Sequence, residues 1–260
     1  MALYLKYLQI LLKSQLQYRL SFGLLVLGQF IIPFSFFAGI YFLFARFGTL
    51  QGWTFYEVAL GFAVIHMAFA ITQCFVRGFD QFPQLVNSGD FDRMMLRPPS
   101  LLLQVFASRF EFIKIGRLLQ SLAVLIWAIS ELPAIWGFLK IMTLGLMLAS
   151  GVCLFASLYI LTAALSFWTI QGLDLVDVFA NGGREMAQYP QHIYQRWVQR
   201  FFTFVIPFGC INYLPLLFLL DKMEGNPWPY VLSPLYSLLF LGPCLGIWRI
   251  GVRRYLSSGS

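Results

Sequence analysis

The chain has 260 residues, of which 59% are hydrophobic, 18% aromatic and only 11% charged. A soluble domain carries about a quarter charged residues, so this composition excludes an ordinary water-soluble protein and places the chain in a bilayer. The net charge of +7 does not mark a nucleic-acid binder, because the cations fall in short clusters between apolar tracts.

The first twenty residues, MALYLKYLQILLKSQLQYRL, lack the uninterrupted apolar run and small-residue cleavage site of a signal peptide. Lys6, Gln9, Lys13 and Gln17 recur at helical spacing, with Leu3, Leu8, Ile10, Leu11 and Leu12 around them. That pattern predicts an N-terminal helix lying in the membrane interface; a plain cytosolic lead into the first span is the other reading. A span needs roughly 20 apolar residues to cross about 30 Å of hydrocarbon. Six tracts qualify, at about 20–44, 55–76, 112–131, 134–168, 201–220 and 232–250. The expected fold is therefore an all-α polytopic membrane protein with one transmembrane domain over 1–260. Of the 18 cations, only Arg46, Lys140 and Lys222 fall on one side of this arrangement. The positive-inside rule then puts both termini in the cytoplasm. The four cysteines (Cys74, Cys153, Cys210, Cys244) sit far apart in apolar tracts, as buried hydrophobes rather than disulfides or metal ligands.

Within the connection 77–100, the stretch NSGDFDRMMLRPPS (Asn87–Ser100) is unlike its surroundings. Gly89 breaks the preceding segment, and Asp90 and Asp92 suit the first turn of a helix. Pro98 and Pro99 stop the helix after about two turns. Phe91, Met94 and Met95 fall on one face and Asp90, Arg93 and Arg97 on another. Such an element either docks into a groove on a partner or is a solvated loop. Next to it, Arg109 and Arg117 would meet loop acids or anionic head groups, while Glu111 and Lys114 have the spacing of a local helical pair. Residues 172–200 read as the second cytoplasmic connection, with a turn at Asn181-Gly182-Gly183 and an interfacial helix carrying Ile193, Arg196, Trp197 and Arg200.

Pro207, Asn212 and Pro215 interrupt the fifth tract. Freed carbonyls are tolerated in a bilayer only beside protein or a cavity. Two readings follow: a wall of a transport path including Phe201, Phe202, Phe204, Pro207, Phe208, Asn212 and Tyr213, or a kinked packing helix. GPCLG (Gly242–Gly246) is a small-residue packing motif of unknown partner. Asp221–Ser233 would form a short outer cap, anchored by Trp228 and Tyr230.

No Gly-x-x-x-x-Gly-Lys-[Ser/Thr] phosphate loop occurs, since no Lys follows a Gly, and no hydrolase or metal-binding motif is present. An enzymatic role, a bound metal and a bound cofactor are therefore not expected of this chain. An ion-coupled carrier is the competing class. Its one candidate group is His66 near the middle of the second span, with no acid at any predicted span centre.

Three motifs resemble one family. GDFDRMMLRPPS (Gly89–Ser100) is similar to the Gly-x-Leu/Phe-Asp/Glu-x-x-Leu-x-x-Pro segment of type-2 ABC exporter permeases. YPQHIYQRWVQRFFTFVIPFGCINYLP (Tyr189–Pro215) resembles a second run of that family, and RRYLSSGS resembles the terminus of its six-span branch. The resemblance implies that Gly89–Ser100 holds a cytoplasmic coupling helix seated in an ATPase subunit, with Asp90, Phe91, Asp92, Arg93, Met94 and Arg97 at the contact. It implies ATP and magnesium on a partner ATPase dimer, and a second permease, identical or related. The second and fifth spans would line the path, and the chain would sit in a bacterial plasma membrane; the aromatic spans themselves favour export of hydrophobic, amphipathic or cationic compounds, with lipid and peptide still open. Met94-Met95 and Pro99 depart from the family pattern, which would leave docking intact and alter which ATPase fits.

Overall fold

The computed structural model describes residues 9, 10, 12–169 and 173–255. The expected interfacial helix over Leu3, Lys6, Leu8 and Leu11, and the terminal Ser-Ser-Gly-Ser, lie outside these residues. Among those described, all regular structure is helical apart from an isolated bridge between Leu50 and Trp53.

Five helices are long and apolar enough to cross a bilayer: Leu12–Phe47, Phe55–Phe75, Phe112–Glu131, Phe138–Leu165 and Trp228–Arg254. Each overlaps one of the expected tracts. The first begins eight residues earlier than expected and runs through a 3₁₀ turn at Leu16–Tyr18. The second starts where the Glu57 carboxylate accepts the Thr54 backbone N–H at 2.8 Å, which satisfies an orphan donor at the helix end. It lies at the centre of the bundle, with Val58–Ala70 buried throughout. The packing order across the bundle is Leu12–Phe47, Phe112–Glu131, Phe55–Phe75, Phe138–Leu165, Trp228–Arg254. Gly116 allows the first two of these to touch: a Cβ there would lie 2.0 Å from the Val26 carbonyl oxygen. Close backbone approach at small residues is how helices associate without a hydrophobic driving force.

The expected fifth span at 201–220 is not a straight helix. Arg196–Val205 and Gly209–Leu219 meet at 84°. The break falls at Pro207, which has no N–H to donate, and Ile206 before it adopts an extended conformation (φ −119°, ψ 97°). Short π-helical stretches, Phe201–Val205 and Gly209–Tyr213, flank the bend.

Residues 172–200 also depart from expectation. Leu173–Ala187 is one helix that continues through Asn181-Gly182-Gly183 without a turn. It packs on the second and fourth spans. The Arg184 guanidinium stands 4.7 Å from the Phe69 ring centre, Gln188 reaches His66, and His192 stacks on Trp53 at 6.1 Å. The segment thus runs up the second span toward the Trp53 end instead of lying across one face. Gly183 explains why a glycine pair tolerates helix here. A Cβ would lie 2.2 Å from the Phe208 ring, so the position is reserved for close packing.

The Trp53 end is tied together by charges. Lys222 pairs with Glu57 at 2.6 Å, donates to the Gly52 carbonyl at 2.9 Å and lies over the Trp53 ring, while Lys140 pairs with Asp221 at 2.6 Å. The opposite end carries residues 77–114 and the end of the last helix.

Candidate functional site

The segment between the second and third spans is built from four short helices: Arg77–Asp80, Phe82–Asn87, Asp90–Met95 and Leu101–Phe106. Its root is fixed by ion pairs from Arg77 to Asp80 at 2.8 Å and to Glu111 at 3.4 Å. Gly89 takes a left-handed conformation (φ 73°) that turns the chain into the third short helix, a backbone that glycine adopts without steric cost. The Ser88 hydroxyl donates to Asp90 at 2.9 Å, and Arg93 pairs with Asp90 at 3.4 Å. The Gln104 amide closes the far side by donating to the carbonyls of Met94 at 3.0 Å and Pro99 at 2.7 Å.

Asp90–Met95 is anchored to the bundle by one ring. Phe91 is 0% exposed and packs at ring-centre distances of 4.9 Å on Phe82, 5.0 Å on Tyr255 and 5.7 Å on Phe167. Phe82 in turn meets Trp248 at 4.9 Å. Phe167 follows the fourth span, Trp248 lies in the last one, and Tyr255 follows it. The short helix is therefore bolted to the ends of two spans far from it in sequence. Asp92 faces the same seam: burial first, and the neighbouring Asp92 carboxylate second, push the Tyr255 hydroxyl above its usual pKa.

This geometry divides the six predicted contact residues. Phe91 and Met94 point inward and pack on the core, so these two anchor the helix, while Met95 of the same expected face is exposed. Arg93 and Arg97 are exposed. The outward surface also includes Met95 and Leu96, the latter 88% exposed. Leu96 escaped the sequence reading. Its signal was position: an apolar residue just past the helix and before two prolines, with no partner within the local pattern.

His66, the other candidate path residue, and Phe204, Pro207, Phe208, Asn212 and Tyr213 of the fifth tract have different surroundings. His66 is 2% exposed, stacked on Phe62 at 3.9 Å, with Nε2 3.2 Å from Gln188 Oε1. Asn212 is buried and donates to the Ala187 carbonyl at 2.6 Å. His66 thus meets the Gln188 side chain and Asn212 the Ala187 carbonyl, in one polar seam. Tyr213 lies farther along, against Trp53 and with its hydroxyl 3.5 Å from His192 Nδ1. Pro207 occupies the bend and Phe208 packs on Phe155. Phe204 is 66% exposed on the outside.

The seam holds one acid that sequence reasoning had assigned to a surface connection. The Gln188 amide donates to Glu185 at 2.9 Å, and Glu185 forms an ion pair with Arg184. Arg184 therefore belongs to the interior rather than to the charged face. No group of three or more potential metal ligands occurs among the described residues.

The description of the family whose model matches residues 29–259 is ABC-2 family transporter protein. Comparison with curated proteins and with solved structures yields no significant match.

Proposed function

The chain belongs to the ABC-2 transporter family, and from that premise we propose that it is the membrane permease of an ATP-driven exporter whose motor is a separate ATPase dimer. The observation that carries this reading is the anchoring of Asp90–Met95. A helix whose buried ring is held between the fourth and last spans moves with them, while Arg93, Met95, Leu96 and Arg97 remain free to engage another protein. Rigid-body motion of an ATPase would thus reach two spans through Phe91. Both termini would lie on the cytoplasmic side, in a bacterial plasma membrane, with ATP and magnesium held by the partner. Nucleotide-driven closure of the motor would shift the population between access states. A chain with about six crossings supplies half of the path, and a second permease, identical or related, would complete it. The aromatic-rich bundle favours hydrophobic or amphipathic cargo.

The test is site-directed cross-linking from Leu96→Cys. Three of the four native cysteines are buried and the fourth is partly so, so the new thiol dominates surface labelling. A cross-link to a protein with a phosphate-binding loop is expected; cross-links to lipid or to copies of this chain alone would overturn the coupling role.

One observation favours a second reading, an ion-coupled carrier. His66, Gln188, Glu185 and Arg184 form a continuous polar chain inside the bundle. Glu185 is already neutralised by Arg184, however, which leaves it poorly suited to take up a coupling cation. Loss of transport in His66→Phe together with indifference to any ATPase would favour that carrier.

A further inference from the structure

An open cleft of about 570 Å³ lies between the start of the first long helix and residues 108–114. Its lining combines opposite characters: the polar or charged Gln15, Arg109, Glu111 and Lys114 with the apolar Leu25 and Ile113. Gln15 fixes the shape. Its amide donates to the Phe110 carbonyl at 2.6 Å and its oxygen accepts the Phe112 N–H at 3.1 Å, so helix and loop are held at a set separation.

Charge around the cleft is unbalanced. Among the described residues, Glu111 is the one acid on its lining. It is shared among Arg77 at 3.4 Å, Arg109 at 3.8 Å and Lys114 at 4.0 Å, and Arg77 has its own partner in Asp80. Arg117 stands behind the cleft, donating to Gln29 at 3.2 Å and Gln73 at 3.0 Å. Lys13 and Arg19 are exposed along the same helix. One carboxylate cannot neutralise this set, so the cleft carries a positive excess. The neighbouring helix surface is apolar and uncovered at Leu20, Leu24 and Leu27. A cleft of this size takes a small amphiphile, and its cationic and apolar lining residues match a phosphate and a hydrocarbon chain.

We infer that this cleft binds one anionic phospholipid, its phosphate between Arg109 and Lys114 and an acyl chain along Leu25 and Ile113. Lipid occupancy would brace the first helix against residues 108–114, beside the root of the segment that carries Asp90–Met95. A juxtamembrane cation strengthens attraction to anionic lipid by about fivefold, so removing two should weaken retention by about 10- to 30-fold.

The experiment uses the full chain in nanodiscs of phosphatidylcholine with one-tenth phosphatidylglycerol, read by native mass spectrometry. One retained phosphatidylglycerol per chain is expected, lost about 10- to 30-fold in R109Q/K114Q. Leu25→Trp fills the cleft while keeping every charge and should release the lipid as well; it decides the matter if the charge variant does not fold. R253Q/R254Q removes two exposed cations from the last helix, outside the cleft, and should retain the lipid. Equal loss in R253Q/R254Q and R109Q/K114Q would mean diffuse surface attraction and overturn the site. Displacement of phosphatidylglycerol by millimolar inorganic phosphate would identify a soluble phosphate as the ligand and also overturn it.

Discussion

Replacing Phe91 with alanine should detach the short helix Asp90–Met95 while leaving the bundle folded. The ring is fully buried among Phe82, Phe167 and Tyr255. Truncating a buried Phe costs about 3–5 kcal/mol, which includes the cavity it leaves. A helix of six residues is far too short to persist alone, so the loss falls on its docked state. At 1.4 kcal/mol per tenfold change, the open population should rise by roughly two to three and a half orders of magnitude. Hydrogen exchange of the amides from Phe91 to Arg97 reads this directly, with the amides of Phe55–Phe75 as the internal reference. In the assembled transporter, ATP hydrolysis should continue while transport falls, because the connection between motor and spans has been loosened. Unchanged exchange at 91–97, or equal acceleration throughout Phe55–Phe75, would refute the anchoring argument.

Three further outcomes follow. R93E/R97E reverses two exposed charges and should reduce co-purification of the ATPase at least tenfold without removing the chain from the membrane, as checked by pull-down and membrane fractionation. His66→Phe should leave ATP-driven transport near wild type while lowering thermal stability, since an unpaired buried Gln188 oxygen costs about 1–3 kcal/mol; a melting curve and a transport assay separate the two effects. Gly116→Ala places a Cβ against the Val26 carbonyl and should destabilise by about 1–3 kcal/mol. Gly145→Ala, with open space around it, should be neutral or slightly stabilising; detergent melting curves of both compare crowding with helix propensity.

The long spans could be read from the sequence because lipid demands an uninterrupted apolar stretch. Phe55–Phe75 and Phe112–Glu131 match their expected bounds within about a residue. Leu173–Ala187 was hidden for the complementary reason. Asn181, Arg184 and Glu185 make it look like a connection, yet it packs on two spans and its polar groups meet Phe69, Gln188 and one another. Hydropathy reports preference for lipid, not for the inside of a bundle. The bend at Pro207 was visible as a proline, but its 84° angle depends on where Phe208 and Asn212 pack. At Asp90–Met95 the glycine start, the proline stop and a short helix could be read, with a solvated loop as the alternative. The inward direction of Phe91 was not, because Phe167 and Tyr255 lie far along the chain and local periodicity carries no information about them.

The central claim, that this permease works with a separate ATP-hydrolysing subunit, is tested most directly by affinity purification of the tagged chain from its native membrane in mild detergent. Companions would be identified by mass spectrometry and ATP hydrolysis assayed on the same sample. The account predicts a stoichiometric protein with a phosphate-binding loop and ATPase activity that is lost from the R93E/R97E preparation. A homo-oligomer without ATPase, stable across several detergents and active in transport, would contradict it.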